Sequence, residues 1–180
     1  MKTDEELYFE YLHGDNNALD ELLVRHKNGI IWFVYGFVKN MEDAEDLMMD
    51  TFALLISKKV RFRNDSSFKT WLYGIGRNLT RNYLRKNKAM PLEEIELIDF
   101  GLNSIGPEEE YIIKESNEVL YKAISLMREE YMTVLYLSFF EQMDISMIAK
   151  IMKKNTRQVY NIMARAKKQL REVLDESVSV

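Results

Sequence analysis

The chain has 180 residues, a length that falls between one domain and two small ones, and its 47% apolar and 30% charged side chains describe a folded protein rather than a disordered tail. It has no cysteine, which excludes disulfides and thiolate metal sites. The net charge of -4 argues against nucleic-acid binding only until it is divided along the chain. Residues 1–57 carry 4 basic and 12 acidic side chains, 58–90 carry 10 and 1, 91–149 carry 3 and 13, and 150–180 carry 8 and 3. Two basic blocks separated by acidic ones suit two separate contacts with phosphate, although each block alone is equally well read as a solvated helix face.

The opening MKTDEELYFE holds neither a basic start followed by an apolar run nor a stretch long enough to span a bilayer. A cytoplasmic location without membrane insertion is expected. Thr3 and Glu6 have capping-box spacing, Asp15 can open a second helix, and Ser66 or Ser67 can cap one beginning near Phe68. Apolar residues recur at helical spacing on both sides of an acidic stretch that contains Pro91, Gly101, Gly106 and Pro107. The expected fold is all-α, with two small helical domains at 1–89 and 107–180 joined by an acidic linker at 90–106. Pro107 suits the first turn of a helix.

Three segments carry the functional signal. In DAEDLMMDTFALLIS, from Asp43 to Ser57, a helical wheel puts Ala44, Leu47, Met48, Leu54 and Leu55 on a core face and Asp43, Asp46 and Asp50 in an acidic stripe. Met49, Phe52 and Ile56 fall on a third sector, which suggests a protein partner. Spacing alone leaves open that Phe52 packs on another helix of its own domain.

In FKTWLYGIGRNLTRNYLRK, from Phe68 to Lys86, one face is Phe68, Leu72, Ile75 and Leu79. The opposite face carries Arg77, Arg81 and Arg85, with Thr70 and Gly74 among them and Asn78 at the edge. Trp71 can be core or surface. Just upstream, KKVRFRNDSS is a basic loop containing Arg61, Phe62, Arg63 and Asn64, the combination that binding of unstacked bases requires.

The third segment, Asp144 to Leu174, reads as a helix-turn-helix. Asp144 caps a short helix running to Met152, a KKN turn follows, and a longer helix starts near Thr156. Val159, Ile162, Met163, Ala166, Leu170 and Val173 face inward, while Arg157, Asn161, Ala164, Arg165 and Lys168 face outward as in a helix entering a major groove.

Together these motifs resemble the extracytoplasmic-function (ECF) sigma factors. DAEDLMMDTF resembles the family's core-polymerase-binding helix, FKTWLYGIGRN its minus-ten region, and RAKKQL, from Arg165 to Leu170, the end of its minus-thirty-five recognition helix. The resemblance implies a transcription initiation factor rather than an enzyme, with no catalytic residue, metal or cofactor. It assigns Asp43, Asp46, Leu47, Asp50 and Phe52, with Met49 and Ile56 beside them, to docking on core RNA polymerase, whose clamp helices and flap are the expected partners. Promoter DNA is the second partner, held at the minus-ten element by Arg61, Phe62, Arg63, Asn64, Trp71, Arg77, Asn78, Arg81, Asn82 and Arg85. At the minus-thirty-five duplex the residues are Arg157, Gln158, Tyr160, Asn161, Arg165 and Lys168. An anti-sigma protein is a further expected partner.

The chain departs from the family pattern at two places. Met147, Ile148 and Ala149 stand where a Glu-Ile-Ala start is usual, so a capping or phosphate-orienting carboxylate is missing there. Tyr160, Asn161 and Ile162 replace a basic residue, a serine and an arginine. An unusual minus-thirty-five preference or weaker duplex binding is expected. Two other readings stay open from the residues alone: a stand-alone dimeric helix-turn-helix regulator, and a divalent-metal nuclease built on Asp43, Asp46 and Asp50.

Overall fold

The computed structural model describes residues 1–58, 66–87 and 117–178, and among these the chain forms helices and no strand. The linker expected at 90–106, Pro107 and the loop residues Arg61, Phe62, Arg63 and Asn64 lie outside the described residues.

Local capping explains where most helices begin. In α1 (Asp4–Leu12), the Thr3 amide donates to Glu6 Oε2 at 2.7 Å and the Glu6 amide to Thr3 Oγ1 at 3.2 Å, completing the capping box. In α2 (Asn16–Val38), Asp15 accepts the Asn17 amide at 3.0 Å, and the helix stops at Lys39, which adopts a left-handed φ of 59°. Asn40 accepts the Asp43 amide at 3.0 Å in the first turn of α3 (Met41–Lys58). Ser67, not Ser66, caps α4 (Phe68–Lys86), accepting the Thr70 amide at 3.2 Å. A second acceptor for α4 comes from far away in sequence, since Glu5 takes the Phe68 amide at 2.8 Å. Such caps satisfy amides that a helix start leaves without partners, each worth about 1 kcal/mol.

The C-terminal half holds α5 (117–125), α6 (Glu129–Phe139), α7 (Ile145–Met152) and α8 (Thr156–Val178). Asp144 caps α7 through the Met147 amide at 2.9 Å, and Lys153 ends it with φ 54°. The Asn155 amide then donates to Gln158 Oε1 at 3.0 Å and the Gln158 amide to Asn155 Oδ1 at 2.8 Å, a reciprocal cap that starts α8. The expected helix-turn-helix is therefore present with the expected boundaries.

One apolar cluster runs through both halves. Leu7, Leu22, Ile30, Phe33, Leu55, Phe68 and Leu72 are fully buried among α1–α4, and Ile124, Met132, Leu135, Ile148, Val159 and Ala166 among α5–α8. The halves also pack against one another, α2 on α6 and α4 on α7. Aromatic rings bridge this seam: Phe33 lies 5.5 Å from Tyr136 and Trp32 5.5 Å from Tyr121, centroid to centroid. Close approach depends on a missing side chain at Gly36, where an added Cβ would come within 1.8 Å of Met132 Cε.

Candidate protein- and nucleic-acid-binding surfaces

α3 is packed on two sides, by α2 and by α4. Its buried arc is correspondingly wide and contains Ala44, Leu47, Met48, Thr51, Phe52 and Leu55, while Leu54 is half-buried. This corrects the expectation for Phe52. At about 100° per residue it sits roughly 40° from Met48, and the second neighbour closes over it, so only 3% of the residue is exposed. Leu47 is buried as well and serves the core. Met49 and Ile56 remain exposed, at 56% and 40%, beside the exposed carboxylates of Asp46 and Asp50. Asp43 is half-buried, and its carboxylate beside the Tyr83 hydroxyl of α4 raises the Tyr83 pKa. The surface that α3 can offer a partner is thus Asp46, Met49, Asp50 and Ile56, an apolar strip beside negative charge. Among the described residues no group of three or more His, Asp or Glu side chains is arranged to hold a metal.

α4 differs more from its wheel. Asn78, Arg81, Asn82, Arg85 and Lys86 are exposed, forming a polar and basic face over its C-terminal half. Arg85 donates to Asn82 Oδ1 at 3.4 Å. Arg77, expected on that face, is instead buried, with 4% of its side chain exposed. Its Nη2 donates to Glu129 Oε1 of α6 at 2.9 Å, and Arg81 Nε lies 3.3 Å from the same oxygen. Burial holds the Arg77 pKa below its ordinary value, against the pull of the Glu129 carboxylate. Thr70, also expected outside, is buried with its hydroxyl 2.8 Å from Ser67 Oγ. The C-terminal half covers a further flank of α4, through α7 and through Glu129 of α6, and encloses Arg77, while Gly76 faces Ile30 of α2 and Thr51 of α3. The missing side chain at Gly76 was the sequence signal for the flank against α2 and α3. Trp71 is half-buried, with its ring edge-on to Tyr8 at 5.4 Å and to Phe68 at 6.0 Å. Gly74 faces open space.

On α8 the division follows the wheel. Val159, Met163, Ala166 and Leu170 are buried, and Ile162 and Val173 are half-buried. Arg157, Tyr160, Asn161, Ala164, Arg165 and Lys168 are exposed, Tyr160 by 62%. Gln158 is exposed, and its carbonyl oxygen accepts the Asn155 amide at the start of the helix. The carboxylate that seemed missing at Met147 is supplied at Asp144. Hydrogen bonds from the Ser146 hydroxyl at 2.6 Å and the Met147 amide hold its pKa below the usual carboxylate value. The sequence departure at Met147 therefore leaves α7 capped.

The geometry combines one acidic and apolar strip on α3, one basic helix face on α4 and one helix-turn-helix with a basic outer side. No described helix is long and apolar enough to cross a membrane. Residues 22–90 match the family model for sigma-70 region 2, and residues 117–170 that for sigma-70 region 4. The RNA polymerase sigma factor SigV of Bacillus subtilis is 31% identical over 146 residues, covering 81% of this chain and 84% of that protein. The sigma-H factor of Pseudomonas aeruginosa is 27% identical, covering 99% and 95%, and the ECF sigma-E factor of Escherichia coli 28%, covering 98% and 94%. Two solved structures share the fold. One is CnrH in complex with the cytosolic domain of CnrY, with a TM-score of 0.70 and 19% identity, covering 97% of this chain and 99% of that one. The other is RpoE of Bartonella quintana in complex with the anti-sigma factor NepR, with a TM-score of 0.69 and 19% identity, covering 87% and 96%. With regions 2 and 4 in order and a relative of this identity spanning four-fifths of its length, the chain belongs to the ECF sigma factors, the transcription initiation subunits of RNA polymerase.

Proposed function

We propose that the chain directs core RNA polymerase to promoters by reading two elements and favouring the melted state of one of them. The observation that carries this reading is the pairing of two separate basic surfaces, on α4 and on α8, with a third surface on α3 that is acidic and apolar and suits a protein. The exposed strip of Asp46, Met49, Asp50 and Ile56 docks on the polymerase. Asn78, Arg81, Asn82 and Arg85, with the loop from Arg61 to Asn64 and the edge of Trp71, hold the unpaired minus-ten strand by phosphate contact and base stacking. Preference for unpaired bases shifts the equilibrium toward the open promoter, because a ligand can move an equilibrium only by its difference in affinity for the two states. Arg157, Tyr160, Asn161, Arg165 and Lys168 meet the minus-thirty-five duplex in its major groove.

Phosphoryl transfer belongs to the polymerase, and this chain acts in the cytoplasm as a recognition subunit. Both solved relatives were captured with a protein bound, one of them an anti-sigma factor, which supports an anti-sigma partner here. The test is to mix the purified chain with core RNA polymerase lacking any sigma subunit and ask for co-elution and discrete transcription starts. Both should appear, and both should fall when Asp46 and Met49 are replaced. Binding to duplex DNA as a dimer without polymerase would replace this reading with that of a stand-alone regulator.

A further inference from the structure

Among the described residues four glycines stand inside helices, Gly29 and Gly36 in α2 and Gly74 and Gly76 in α4. A glycine within a helix lowers the folding equilibrium about fivefold relative to alanine, so each of these positions calls for a compensating reason. Three have one within the chain. A Cβ at Gly29 would run into the Tyr73 hydroxyl and the Glu141 carboxylate, and one at Gly36 into the Met132 methyl. At Gly76 it would press on Thr51 at 3.5 Å and on Ile30 at 3.9 Å. Around Gly74 nothing lies within 4 Å. The fold gives up helix propensity there and gains no packing for it.

Gly74 sits on an accessible flank of α4. Trp71, one turn earlier, is half-buried, and Asn78 and Asn82, one and two turns later on the same line, are exposed with Arg81 and Arg85 beside them. From Trp71 to Asn78 is two turns, so about 10 Å of the helix surface is bare backbone between an indole and a pair of amides. The lining of this flank is aromatic, amide-bearing and basic, which suits a nucleic-acid strand, whereas the partner strip on α3 is acidic and apolar.

We propose that Gly74 is the point of closest approach between α4 and the unpaired strand. The sugar–phosphate chain crosses the bare backbone at Gly74, a base reaches the edge of Trp71 on one side, and Asn78 and Asn82 bond the strand on the other. This rests on α4 being the minus-ten helix. What Gly74 contributes is room, so stability and binding move in opposite directions when that room is filled.

The test uses the full chain, free for urea denaturation and assembled with core RNA polymerase for binding to a labelled fork-junction DNA taken from a start site mapped with the parent. Gly74→Ala is expected to raise the folding constant about fivefold and to weaken fork-junction binding about tenfold, with core assembly unchanged. Gly74→Gln, a longer side chain that is still a good helix former, is expected to weaken binding about a hundredfold. A Gly74→Ala chain less stable than the parent overturns the premise, and one that is more stable yet binds DNA as well as the parent overturns the close approach. Equal losses for the two variants assign the effect to helix flexibility, and a loss of core assembly assigns the flank to protein; either result overturns the proposal. Asn78→Ala and Arg81→Ala test the underlying reading separately. If both bind like the parent, or if the parent gives no discrete start, the minus-ten reading falls and the proposal with it; if both weaken binding and Gly74→Ala does not, only the close approach falls.

Discussion

Phe52 and Met49 lie three residues apart on α3 with opposite surroundings, and replacing each by alanine separates stability from docking. Phe52 is 3% exposed and belongs to the main apolar cluster, so its truncation removes a buried ring and leaves a cavity, at a cost of about 3–5 kcal/mol. In a domain of this size each kcal/mol lowers the melting temperature by roughly 2–4 °C, so a fall of about 10 °C is expected. Met49 is 56% exposed, and its truncation should leave stability within about 0.5 kcal/mol while weakening association with core polymerase by at least 1 kcal/mol. Urea denaturation followed by circular dichroism gives the first quantity, and titration of labelled chain with core polymerase the second. The reasoning is refuted if Phe52→Ala costs less than about 1 kcal/mol, or if folded Phe52→Ala loses more polymerase affinity than Met49→Ala.

Three further outcomes follow from side chains whose environments are defined. Lys39 is desolvated at the seam and its pKa is lowered to about 8, below the ordinary 10.5. The unfolded chain therefore holds more protons between these values, the penalty is fully present below pH 8, and stability should rise from about pH 8 to 10.5. Denaturation curves of the parent and of Lys39→Met should differ in slope across that window and run parallel below it. Asp4 is half-buried, which opposes ionisation, but hydrogen bonds from His26 at 2.6 Å and Arg25 at 2.9 Å win and hold its carboxyl below the ordinary value. Its contribution is present above the unfolded pKa of about 4 and lost as pH falls through the folded one, so Asp4→Asn should flatten the acid limb of a urea-stability profile. Gln158→Ala should cost about 1 kcal/mol of stability and weaken all duplex sequences alike, whereas Tyr160→Ala should change which bases are preferred, as measured with a panel of substituted minus-thirty-five duplexes.

Helix starts were legible because their signals are local. Thr3 with Glu6, Asp15 and Asp144 each act within three residues of themselves, and the structure uses all of them. The inward face of α8 was legible because one flank of that helix is buried and the rest is solvated, the situation a helical wheel assumes. Phe52 and Arg77 were misread for the opposite reason. α3 touches α2 and α4, and α4 touches α1, α2, α3 and α7, and a wheel with one core stripe assigns the remaining buried flanks to solvent. The partner of Arg77 is 52 residues away on α6, so no window on α4 contains the information that it is covered. Asn155 with Gln158 has capping-box spacing, a signal as local as the others.

The hydrogen bond from the Phe68 amide to Glu5 has a consequence for how this protein is handled. The first turn of α4 is held by a carboxylate 63 residues upstream, and Tyr8 of the same short helix lies against both Phe68 and Trp71. Proteolytic trimming of α1 would thus strip an acceptor from α4 and an aromatic support from Trp71 at once. A preparation that had lost its first dozen residues would keep both sigma regions by sequence and yet present a frayed α4, so N-terminal integrity should be verified by mass before any promoter affinity is compared.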